Sequence, residues 1–63
     1  MDPKDIFDLI IKADEKVKYA NDANAELRKE QARALLRQAR DEAASVGNDG
    51  LVTQAETRLA DLG

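Results

Sequence analysis

The chain has 63 residues, and its acidic side chains outnumber its basic ones, which gives a formal net charge of -3. This length allows one domain, residues 1–63, and the sequence contains neither Cys nor His. A disulfide, a zinc site built on thiolates or imidazoles, and a histidine general base are therefore excluded.

The composition favours an all-α protein. The helix formers Ala, Leu, Glu, Gln, Lys and Arg dominate, and no stretch alternates apolar and polar residues as a strand does. No stretch approaches the ~20 apolar residues of a membrane span, and the acidic N-terminus does not resemble a signal peptide, so we expect a cytoplasmic protein. The sequence predicts three helices, over about residues 3–20, 24–46 and 50–62, in an up-down-up bundle.

The first predicted helix has a clear start. Asp2 is suited to cap its free N–H groups, and Pro3 is suited to its first position. Asp14 and Lys18 are spaced for an ion pair along the helix. The expected buried face follows the helical period and consists of Ile6, Ile10, Ala13, Val17 and Ala20.

A break is predicted at Asn21-Asp22-Ala23-Asn24, because Asn and Asp bond nearby backbone groups and the apolar pattern shifts by about one residue there. One unbroken helix to Val46 is the competing interpretation. The second helix is expected to bury a face rich in small residues, which lets a neighbour approach closely. That face consists of Ala25, Ala32, Leu35, Leu36, Ala39, Ala43 and Val46.

Gly47 is the predicted left-handed stop of the second helix, and Asn48 or Asp49 is the predicted cap of the third. The third helix is expected to bury Leu51, Val52, Ala55, Leu59 and Leu62.

The first and third helices share a pattern. Ile10-x-x-Ala13-x-x-x-Val17-x-x-Ala20 matches Val52-x-x-Ala55-x-x-x-Leu59-x-x-Leu62. Packing on opposite sides of one common helix would also produce this spacing. With the alanines and the Gly47-Asn48 turn of the second helix, the pattern resembles the tetratricopeptide repeat family, most clearly over residues 32–63. The resemblance implies a helical hairpin that binds proteins or peptides, or that stacks on copies of itself.

The residues offer little for catalysis. The hydroxyls of Tyr19, Ser45, Thr53 and Thr57 have no His to activate them, and the carboxylates are spread among basic residues along helix surfaces. We therefore expect no enzymatic activity, no catalytic residues, no metal and no cofactor.

The best candidate for partner binding is on the first helix. Phe7 and Ile11 lie about 100° from its predicted buried face, so this helix is apolar around most of its circumference. Either the other two helices both cover it, or Phe7 and Ile11, with the aromatic Tyr19, contact a protein or peptide partner or a second copy of the chain.

The second helix carries an alternative site. A basic flank there suits contact with phosphates, as in a nucleic-acid-associated accessory protein. Glu26, Glu30 and Asp41 lie beside it, and no aromatic residue is interleaved for base stacking, so a solvated flank is the preferred interpretation. The flank consists of Lys29, Arg33, Arg37 and Arg40.

Overall fold

Three helices make up the chain, and the computed structural model describes all of residues 1–63. Helix α1 spans Pro3–Lys18, α2 spans Ala25–Ser45 and α3 spans Asp49–Leu62. The predicted all-α, up-down-up bundle is confirmed. No helix is long and apolar enough to cross a membrane.

The connection between α1 and α2 is built by asparagine side chains. Helix α1 ends at Lys18 rather than at residue 20, and the Ala20 N–H turns back to the Val17 carbonyl at 3.2 Å. The Asn21 Oδ1 then accepts from the N–H groups of Ala23, at 3.0 Å, and Asn24, at 3.1 Å. These local bonds offer the backbone an alternative to a continued helix, so an unbroken helix to Val46 is wrong.

The expected cap of α1 is absent, and α2 also begins without a side-chain cap. Asp2 and Asn24 occupy the N-cap positions of α1 and α2, but neither side chain bonds the first turn of its helix. The Asn24 Oδ1 instead accepts from the Asn21 N–H at 2.8 Å, inside the preceding turn. The polar side chain at the start of α2 therefore stabilises the turn that comes before the helix.

The connection between α2 and α3 follows the sequence signals closely. Gly47 has a φ of 73°, in the left-handed region that glycine adopts without strain. The Asn48 Oδ1 accepts from the Leu51 N–H at 3.1 Å, so Asn48 caps α3, which begins one residue earlier than expected, at Asp49.

Helix α2 lies at the centre of the packing. Helices α1 and α3 both lie along it, and they contact each other much less. Small residues form most of its buried face, so both neighbours can approach its backbone closely. The core contains nine buried residues: Ile6, Ile10, Ala13, Ala32, Leu36, Ala39, Ala43, Leu51 and Ala55.

Some residues expected in the core lie at its edge. Val46 is exposed because it follows the last residue of α2, and Ala20 is only half-buried because it lies beyond the end of α1. Val17 is exposed because α1 and α3 leave a groove between them at its level. Five other expected core residues are only half-buried: Ala25, Leu35, Val52, Leu59 and Leu62.

Candidate functional site

An exposed row of side chains follows one side of α1. Two large apolar residues lie at its middle, where Phe7 is 41% exposed and Ile11 is 36% exposed. Charged residues continue the row toward both ends of the helix. We call this row the outer line, and it consists of Lys4, Phe7, Ile11, Asp14 and Lys18.

The buried side of the same helix lies one residue step away. Ile6 and Ile10 are 0% exposed, although each is directly followed in the sequence by a residue of the outer line. One residue turns the side chain by about 100° around the helix axis. The rest of the bundle therefore covers Ile6 and Ile10 completely and leaves a large part of Phe7 and Ile11 uncovered.

Tyr19 lies apart from these two residues. It is 64% exposed, and the Lys18 Nζ stands 5.5 Å from the centre of its ring. Tyr19 borders a shallow depression between α1 and α2 together with Arg28 and Leu35 of α2. The structure therefore brings Phe7 and Ile11 together on one line and places the third predicted partner residue at the boundary of α1 with α2.

A groove between α1 and α3 borders the far end of the outer line. Asp14 belongs to both, and its two carboxylate oxygens accept from the Arg58 Nε of α3 at 2.9 and 3.1 Å. The groove has a volume of about 320 Å³ and an apolar floor with a charged rim. Its lining consists of Ala13, Asp14, Val17, Lys18, Leu36, Arg58, Asp61 and Leu62.

Sequence reasoning missed the link between Asp14 and Arg58. The spacing of Asp14 and Lys18 pointed to a pair within α1, whereas the carboxylate bonds a residue of α3. The repeated pattern of α1 and α3 pairs Asp14 with Glu56 rather than with Arg58, so it gave no signal for this contact.

The basic flank of α2 is partly neutralised within the chain. The Arg33 guanidinium pairs with Glu30 and donates to the Leu62 carbonyl at 3.3 Å, and its side chain is only 16% exposed. The Arg40 Nε pairs with the Asp41 Oδ1 at 3.3 Å. Lys29 and Arg37 take part in no ion pair. Two of the four predicted cations are thus already bound to neighbouring carboxylates.

No group of three or more acidic side chains lies close enough together to hold a metal ion. Searches of protein-family models, curated proteins and solved structures gave no match to this chain. The exposed apolar pair on α1 is the feature of the surface that calls for a functional explanation.

Proposed function

We propose that the chain is a non-catalytic helical module that associates with another protein chain, either a protein or peptide partner or a second copy of itself. The association surface is the apolar middle of the outer line, Phe7 and Ile11. The observation that carries the proposal is their exposure on a helix whose neighbouring residues, Ile6 and Ile10, are completely buried.

A physical argument supports an external role for this pair. Each Å² of apolar surface removed from water contributes about 25 cal/mol, and the fold leaves a good part of Phe7 and Ile11 in water. Contiguous apolar residues on a surface often mark interaction sites. When a partner covers the pair, removal of this apolar surface from water stabilises the complex without any rearrangement of the bundle.

The test compares two aspartate substitutions at exposed apolar positions. Phe7→Asp should abolish association and leave the melting temperature nearly unchanged, because the core does not include Phe7. Leu27→Asp is the matched control on α2, since Leu27 is also exposed, and it should change neither property. Circular dichroism on heating measures the melting temperature, and sedimentation equilibrium measures the association. Loss of the fold in Phe7→Asp would contradict the proposal.

Nucleic-acid association through α2 is the weaker alternative, because Arg33 and Arg40 already pair with carboxylates. Salt-dependent binding of a short RNA or DNA duplex at about 50 mM salt, lost on neutralising Lys29 and Arg37, would favour it over protein association.

The likeness to a tetratricopeptide-type hairpin is also a proposal, over residues 32–63. It is supported by the small buried residues Ala32, Ala39 and Ala55 and by the glycine turn between α2 and α3. Repeats of this type are stable when several are stacked. When copies of residues 32–63 are fused in tandem, the melting temperature should therefore rise with each added copy. A melting temperature that does not depend on the number of copies would contradict the likeness.

A further inference from the structure

The outer line has the spacing of a helix-pairing seam. Its residues follow one another at alternating steps of three and four, which is the spacing that keeps side chains on the contact line of two packed helices. The two central positions are apolar and the outer positions are charged. Such a seam is suited to pack against another helix, and the helices of this chain cover it only in part.

We propose that this seam packs against the same seam of a second copy, with the two α1 helices antiparallel about a twofold axis. This inference rests on the proposed function, since it names the partner of Phe7 and Ile11. The axis passes between the two α1 helices at the level of Leu9 along the chain, because Phe7 and Ile11 are two residues away from Leu9 on either side. Phe7 then faces Ile11 of the second copy, and Ile11 faces its Phe7.

The charges of the seam select this orientation. Lys4 and Asp14 also lie at equal distances on either side of Leu9, so the antiparallel arrangement places each Lys4 opposite an Asp14. A parallel arrangement in register would instead place Lys4 against Lys4 and Asp14 against Asp14. Like charges in direct opposition are destabilising, so the sequence disfavours the parallel dimer.

Both members of the new pair are available in the monomer. Lys4 is exposed and takes part in no ion pair. Asp14 bonds Arg58, but its side chain is 45% exposed, and a carboxylate has room for a further donor. Lys4 of one copy can therefore join Arg58 at the Asp14 carboxylate of the other.

The size of the seam implies a weak dimer. Stable interfaces usually bury about 1,200–2,000 Å², whereas two half-exposed apolar residues from each copy supply only the centre of such an area. We therefore expect a weak dimer, which is populated at high protein concentration and dissociates on dilution.

A zero-length cross-link tests the register in the unmodified chain. A carbodiimide joins a lysine amine to a carboxylate only when the two are in direct contact. Lys4 and Asp14 of one helix lie about 15 Å apart along its axis, so a Lys4–Asp14 amide can form only between copies. In a mixture of ¹⁴N-labelled and ¹⁵N-labelled protein, mass spectrometry should find cross-linked peptide pairs in which one peptide carries ¹⁴N and the other ¹⁵N. The amount of these mixed pairs should rise with protein concentration.

A charge reversal on the seam provides a second measurement. Lys4→Glu should weaken the dimer roughly three- to tenfold, because two equivalent exposed ion pairs are lost. Lys29→Glu on α2 makes the same change in net charge away from the seam and should leave the dissociation constant unchanged. Sedimentation equilibrium over a concentration series measures both variants against the unmodified chain.

The outcomes separate this inference from the proposed function. Absence of dimer at millimolar concentration, or an inter-copy cross-link that excludes Asp14, overturns the antiparallel self-pairing. A dimer that Phe7→Asp abolishes but Lys4→Glu leaves unchanged overturns the register and supports the association surface. Unfolding of Phe7→Asp overturns both. The mixed-isotope Lys4–Asp14 peptide together with the weakening in Lys4→Glu supports both.

Discussion

Two neighbouring lines of α1 carry similar residues and have opposite environments. Ile6 and Ile10 on the inner line are completely buried, whereas Phe7 and Ile11 on the outer line are 41% and 36% exposed. Hydrophobicity alone does not separate these lines. The difference arises because the bundle packs against the inner line, and it shows that the environment of a side chain is set by which neighbours reach it.

The largest expected contrast is between two adjacent isoleucines. Ile10→Ala should lower the free energy of unfolding by about 2–5 kcal/mol, since it removes completely buried methyl groups and leaves a cavity. That is a large share of the roughly 3–9 kcal/mol expected for a chain of this length. Ile11→Ala should lower it by less than about 1 kcal/mol, because Ile11 is already in contact with water. Urea unfolding followed by circular dichroism measures both.

Equal losses in the two isoleucine variants would contradict this distinction between the lines. In that case the outer line would contribute to the core of the monomer as much as the inner line does, and its exposure would carry no functional meaning.

A substitution at the cap of α3, away from the outer line, should lower stability without changing association. Asn48→Ala should cost about 1 kcal/mol, because the Leu51 N–H loses its acceptor at the start of α3. The variant should keep the same dissociation constant as the unmodified chain wherever it is folded, since the outer line is untouched. Thermal unfolding and sedimentation equilibrium on the same samples check this. A weaker dimer at full folding would place α3 in the interface.

The smallest expected effect concerns the link between the outer line and α3. Arg58→Ala should change stability by no more than about 1 kcal/mol, because both members of its ion pair with Asp14 are partly exposed. The dimer should become slightly tighter, since Lys4 of the second copy then meets a carboxylate without a competing cation. Titration by sedimentation equilibrium at low salt detects the change. A weaker dimer would show that Arg58 itself contacts the second copy.

The helix content and the α2–α3 turn were predictable from sequence, because the signals there are local. Gly47 adopts the left-handed conformation that a helix stop requires, and Asn48 bonds the next helix directly. The break before α2 was also predictable from its asparagines. The role of Asn24 was not, because one amide side chain can serve either the turn or the cap, and the choice depends on the final backbone path.

The candidate surface could be predicted only in part. The helical period placed Phe7 and Ile11 beside the buried face, but coverage by α2 or α3 depends on interhelical geometry that no local pattern contains. The same limit explains the placement of Tyr19 beside Arg28, and the choice of Arg58 over Lys18 as the partner of Asp14. Both the placement of Tyr19 and the partner of Asp14 depend on how α2 and α3 are arranged around α1.

The central claim is that the outer line of α1 is an association surface rather than part of the monomer core. An amide NMR dilution series of the ¹⁵N-labelled chain, from about 1 mM downward, tests it most directly, because weak dimers exchange within the range that this measurement detects. We predict concentration-dependent shifts at Lys4, Phe7, Ile11 and Asp14 and little change in α3 away from Arg58. Shifts confined to another face, or none at any concentration, would contradict association through this line with a second copy.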